Sequence, residues 1–164
     1  MAMDTPEKTF PPFPDEARIL DIVQGFRDRT LPQPQWTHQA HLAVGLWHVL
    51  TLGERATGDA LRTGIRRYNE AVGTPNNDQR GYHETVTLFY VWAAARHIER
   101  HPGQSLLELV NGFVGGALGA KSAPFAYWSR ERLLSVAARH TWAVPDLQRL
   151  NPPVTVAPAT SVAS

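Results

Sequence analysis

Apolar positions along this chain recur at helical spacing almost from end to end. Ile19, Leu20, Ile22, Val23 and Phe26 predict a first helix, opened by Pro14 and Asp15 and running to about Thr30. The run Leu31-Pro32-Gln33-Pro34 forbids its continuation and makes a stiff connector. A second helix, with Thr37 as its N-cap, carries Leu42, Leu46, Val49 and Leu50 to a stop near Gly53. The third is expected to begin around residues 57–59 and to pass through Leu61, Ile65 and Tyr68 to about Val72. A polar loop over 74–81, dense in turn residues, leads to the fourth, from Tyr82 to about Arg100. This fourth helix is expected to be the longest and most apolar, with Val86, Phe89, Tyr90, Trp92 and Ile98, and it ends at His101-Pro102-Gly103. A fifth starts at Gln104 with Leu106, Leu107, Leu109, Val110 and Phe113, then gives way to Gly112, Gly115, Gly116 and Gly119. Ser129 caps a sixth, which holds Leu133, Leu134, Val136 and Ala137.

No internal repeat and no strand pattern interrupts this series. The expected fold is all-α: a single-domain bundle of five or six helices, mostly up-down, over residues 15–148. A Pro-rich arm at 1–14, pinned by Phe10 and Phe13, precedes it, and a flexible tail at 149–164 follows. The length of 164 residues suits one domain with a real core. A net charge of +1 gives no global field to attract nucleic acid or an acidic membrane surface. Arg far outnumbers Lys, which occurs only as Lys8 and Lys121, a bias read as compositional. The absence of cysteine removes disulfides, Cys-ligated zinc, iron–sulfur clusters and thiol catalysis together. With no apolar signal core and no apolar run near the ~20 residues of a membrane span, a soluble cytoplasmic protein is expected.

Candidate chemistry concentrates at helix starts. In an up-down bundle the second and fourth helices begin at the end where the third finishes. His38 and His41 then meet His83 and Glu84, with Asn69 and Glu70 closing the third helix beside them. His38 and His41 are spaced i, i+3 and share a helix face, so they can chelate one ion, and His83 is the expected third ligand. Glu84 lies about 100° round its helix from His83, which makes it a general base or a partner to a ligand, with Glu70 as an alternative fourth ligand. Arg66, Arg67 and Arg80 are the candidates for holding a substrate carboxylate or phosphate, and Tyr82 for donating a hydrogen bond. Trp36, Trp92 and Trp128 are candidates for excluding water. His48 is read as core or surface, and His97, His101 and His140 as solvated.

The segments Trp36-Thr37-His38-Gln39-Ala40-His41-Leu42 and Gly81-Tyr82-His83-Glu84-Thr85 resemble a group of small, largely uncharacterised bacterial helical proteins. Arg62-Thr63-Gly64-Ile65-Arg66-Arg67-Tyr68-Asn69 and Tyr127-Trp128-Ser129-Arg130-Glu131-Arg132-Leu133 share that likeness, which covers roughly residues 15–148. It implies no settled activity and carries over no catalytic residue.

The residues themselves predict a small-molecule metalloenzyme with His38, His41 and His83 around a divalent transition metal. Zinc would activate water, whereas iron or copper would suit oxygen chemistry, and all-nitrogen ligation does not separate them. The expected substrate is small and anionic, with neither nucleic acid nor membrane as a partner and homodimer formation left open. The rival readings are a metal-free helical module that binds a ligand at the same end, an acid–base isomerase or lyase using His83 with Glu84 or Glu70, and an interaction scaffold.

Overall fold

The computed structural model describes residues 12–154. Among them the chain forms seven α-helices and no strand, packed as one helical body. The helices are α1 (Glu16–Asp28), α2 (His38–Leu52), α3 (Glu54–Ala71), α4 (Glu84–Arg100), α5 (Leu106–Gly115), α6 (Arg130–Leu133) and α7 (Val136–His140). No helix of the described residues is long and apolar enough to cross a membrane.

Each start has a local cause. Asp15 accepts from the Arg18 N–H, Thr37 Oγ1 from Ala40 N–H, and Ser105 forms a reciprocal capping box with Glu108. Helix α2 is buried nearly all round, through Ala40, Leu42, Ala43, Val44, Leu46, His48 and Val49, and it packs on α1, α3, α4 and α5. A helix apolar on every side belongs at the centre of a bundle. Tyr68 donates to the Leu31 carbonyl at 2.8 Å, which fastens the Pro-rich connector to α3.

Several boundaries differ from the pattern. Helix α3 begins at Glu54, not near 57–59, because Gly53, at φ 84°, turns the chain within one residue. At 18 residues α3 is longer than α4, at 17. Helix α4 begins at Glu84 and α5 at Leu106, each after a capping side chain. The single sixth helix is two short turns, α6 and α7, each with its own serine cap, Ser129 and Ser135.

The N-terminal end is pinned through Phe13, as expected, whereas the C-terminal end packs further along the chain than expected. Phe10 and most of the Pro-rich arm lie outside the described residues, but Phe13 exchanges backbone hydrogen bonds with the Asn111 side chain at 2.8 and 3.1 Å. Residues 149–152, assigned to a flexible tail, pack on the body instead. Leu150 is buried in the core, and Trp92 Nε1 donates to the Pro152 carbonyl at 2.7 Å.

Candidate ligand cavity

The starts of α2 and α4 and the end of α3 do share one end of the bundle. His41, Asn69, Tyr82 and His83 line one cavity there, of about 360 Å³. A second cavity, of about 260 Å³, lies against it, with Trp36, His41, Ile65, Val86 and Thr87 common to both walls. The inner one is walled mainly by Leu42, Val44, Leu61, Val91 and Phe113, with His38 and Tyr90 as further polar edges. Gly45 in the middle of α2 also lines it, and a Cβ there would meet only Leu61 Cδ1, at 3.9 Å.

The histidines at this end do not converge on a point. His38 Nε2 donates to the Gly119 carbonyl at 2.7 Å. His41 Nδ1 donates to the Thr37 carbonyl at 2.7 Å, and its ring lies 3.7 Å from the Trp36 ring. His83 is the N-cap of α4: Nδ1 accepts from the Val86 N–H at 3.2 Å, and Nε2 donates to the Leu133 carbonyl at 2.9 Å. Both nitrogens of His83 are thus engaged with backbone, which leaves none for a metal. Among the described residues no three His, Asp or Glu side chains form a group that could hold a metal ion.

Two of these imidazoles have lowered pKa values. His41 is an exposed residue, yet the protein atoms packed round its ring, with His38 nearby, lower its pKa to about 4 against the opposing Thr37 bond. Burial and then Arg139 lower that of His83. Because a carbonyl oxygen can only accept, the proton of neutral His41 sits on Nδ1. Its Nε2 is then an acceptor, with no donor among the described residues.

The carboxylates do not reach this chemistry. Glu84 is buried and held by Arg62, with Nε 2.8 Å from Oε2 and Nη2 2.7 Å from Oε1. Tyr82 is buried too and donates to the same carboxylate at 3.1 Å, and burial followed by the Glu84 charge raises its pKa. Glu84 therefore closes an ion pair and is not poised as a base. Glu70 is exposed and lines neither cavity. The same is true of Arg66, Arg67 and Arg80; Arg66 places its guanidinium 5.0 Å from the centre of the Tyr82 ring.

No family model, curated protein or solved structure matches this chain.

Sequence reasoning overlooked Arg62, which appeared only as part of a motif, and also Thr87 and Tyr90 as wall residues. Thr87 and Tyr90 stand one helical turn apart on α4, a spacing that puts both on the face turned toward α2. His48 proves to be core, with Nδ1 bonded to the Val44 carbonyl. His140 is exposed but pairs with Asp78 at 2.7 Å, and His97 stacks on His101 with 4.2 Å between ring centres.

The capping role of His83 has a measurable consequence. His83→Ala is expected to cost about 1–2 kcal/mol, one cap plus one stranded carbonyl, in urea unfolding. His83→Asn, which restores the cap alone, should recover about half of that. Unchanged stability in His83→Ala would refute the role.

Proposed function

We propose that the protein is a small-molecule-binding module whose ligand occupies the cavity between α2, α3 and α4, with His41 as its polar anchor. The observation that carries this reading is an apolar-walled cavity of about 260 Å³ containing a neutral histidine whose Nε2 lacks a donor among the described residues. Ligand sites are mostly apolar concavities with a few placed polar groups, and this volume suits a compact ligand.

Mid-helix Gly45 supports the same reading. Glycine inside a helix costs about 1 kcal/mol relative to alanine, and here no neighbour is close enough to require it. Its lack of a side chain keeps the cavity open. The absence of any exposed arginine from either wall favours an uncharged ligand over the anionic one suggested by charge placement alone. An acid–base reading would need Glu84 released from Arg62, and a three-histidine metal reading would need His83 to give up at least the bond that its Nδ1 accepts from the Val86 N–H.

Gly45→Leu tests the proposal, because the new side chain fills the cavity from its wall. Ligand-observed NMR with benzyl alcohol and toluene should show binding to the natural chain and at least a tenfold loss in the variant (about 1.4 kcal/mol or more). Its unfolding midpoint should be no lower. Undiminished binding in Gly45→Leu would overturn the proposal. Elemental analysis of protein purified without chelator is the companion measurement: stoichiometric metal, lost in His83→Ala, would replace this reading with the metal one.

A further inference from the structure

We infer that the ligand is amphipathic, with an apolar body in the inner cavity and an uncharged head that donates hydrogen bonds in the outer one. A carboxamide is the head that fits best. This inference rests on the cavity being a ligand site and adds the class of molecule that it takes.

The two cavities differ in character. Beyond the walls they share, the inner one adds chiefly aliphatic and aromatic side chains, whereas the outer one adds Asn69, Thr74, Tyr82 and His83. No Asp, Glu, Lys or Arg lines either of them among the described residues. A charged head would therefore lose hydration without gaining a counter-ion, which is costly.

The polarity of the head follows from which groups are already engaged. Tyr82 donates to Glu84, and His83 uses both nitrogens on backbone. Asn69 Nδ2 donates to Asn76 Oδ1 at 2.9 Å. The orientation of that amide pair is fixed by backbone groups whose roles are unambiguous. Asn76 Oδ1 also accepts the Tyr82 backbone N–H at 3.0 Å, and Asn76 Nδ2 donates to the Arg66 carbonyl at 3.2 Å. The atom that Asn69 turns to Asn76 must therefore be its NH₂, which leaves Oδ1 as the uncommitted end. Asn69 is only 6% exposed, and its Oδ1 has no donor among the described residues.

Nε2 of neutral His41 is the second acceptor, the tautomer set by the Thr37 carbonyl. Two acceptors on one cavity wall call for a donor. The Thr74 hydroxyl accepts from Gln33 Nε2 at 3.1 Å and retains its own proton to give. A carboxamide answers all three, its NH₂ meeting the acceptors and its carbonyl meeting the hydroxyl. A carboxylate offers acceptors against acceptors.

A matched series on one phenyl body decides the matter: benzamide, benzyl alcohol, benzoate, benzylammonium and toluene, titrated into the natural chain by NMR. Benzamide should bind at least about tenfold more tightly than benzoate, one well-placed hydrogen bond against an unpaired buried charge, with benzylammonium also weak. In His41→Phe, which keeps a ring against Trp36, the advantage of benzamide over toluene should shrink several-fold while toluene still binds. Benzoate binding as well as benzamide, or a benzamide advantage untouched in a folded His41→Phe, would overturn the head-group inference and leave the cavity reading standing. Failure of every probe, toluene included, would remove the cavity reading itself and this inference with it.

Discussion

Arg62→Ala is expected to destabilise the fold by about 3 kcal/mol, near the low end of the cost of breaking a buried ion pair. The Glu84 side chain is 8% exposed, and Arg62, at 30%, shields it from the solvent side. Without the guanidinium the carboxylate keeps the Tyr82 hydroxyl as its one hydrogen-bond partner among the described residues, in a largely buried setting that hydrates it poorly. Asp59, also bonded to Arg62 at 2.7 Å, is two-thirds exposed and loses little. Denaturant unfolding of the single variant and of Arg62→Met combined with Glu84→Leu separates the terms. The double variant should recover more than half of the loss, since an apolar pair of similar volume needs no hydration. A single-variant cost below about 1 kcal/mol would mean that the pair behaves as a surface bridge. Glu84 would then be free enough to reconsider as a base.

Trp128→Ala should cost still more, about 4 kcal/mol, and it acts on the other side of α4. Trp128 is fully buried, edge-on to Phe89 at 5.8 Å and to Trp142 at 5.4 Å, and its Nε1 donates to the Ala143 carbonyl at 2.9 Å. Ala143 is in turn bonded through its N–H to Thr85 Oγ1 at 3.0 Å, so one indole couples the segment after α7 to the first turn of α4. Hydrogen exchange should therefore show lost protection around residues 138–150 in the variant, beyond the global change in melting temperature. Trp128→Phe keeps most of the packing and strands one carbonyl, for a cost nearer 1–2 kcal/mol. A cost for Trp128→Ala below that of Trp128→Phe would contradict the packing described.

The helices and most of their caps were legible because each has a local cause. Thr37 and Ser129 bond to N–H groups three residues on, and an apolar stripe needs no distant partner to be recognised. The gathering of His41, Asn69 and His83 at one end followed from connection lengths, and all three do border the outer cavity. What those side chains do there was not legible. Histidine is seldom an N-cap, so His83 read as a ligand, although its Nδ1 can accept an N–H as a carboxylate would. The Arg62–Glu84 pair spans 22 positions and two helices, and no periodicity within either helix announces it. Gly45 carries no signal in the helical pattern, since the empty volume beside it belongs to three helices at once.

The corner that follows α5 gives the floor of the inner cavity a different temperament from its rim. His38 bonds the Gly119 carbonyl and Tyr90 the Ala120 carbonyl, both at 2.7 Å, so two consecutive peptide units are gripped by side chains from α2 and α4. A Cβ at position 119 would collide with the Phe113 carbonyl, so nothing larger than glycine passes there. Such a corner is a fixed-length splice, in which one residue inserted or deleted between 115 and 120 would bring the wrong carbonyls to His38 and Tyr90. The 74–81 loop at the rim is mostly exposed and tethered chiefly by side chains, so change in length is better absorbed there. Variation in what the cavity admits should accumulate at the rim, while the floor keeps its spelling.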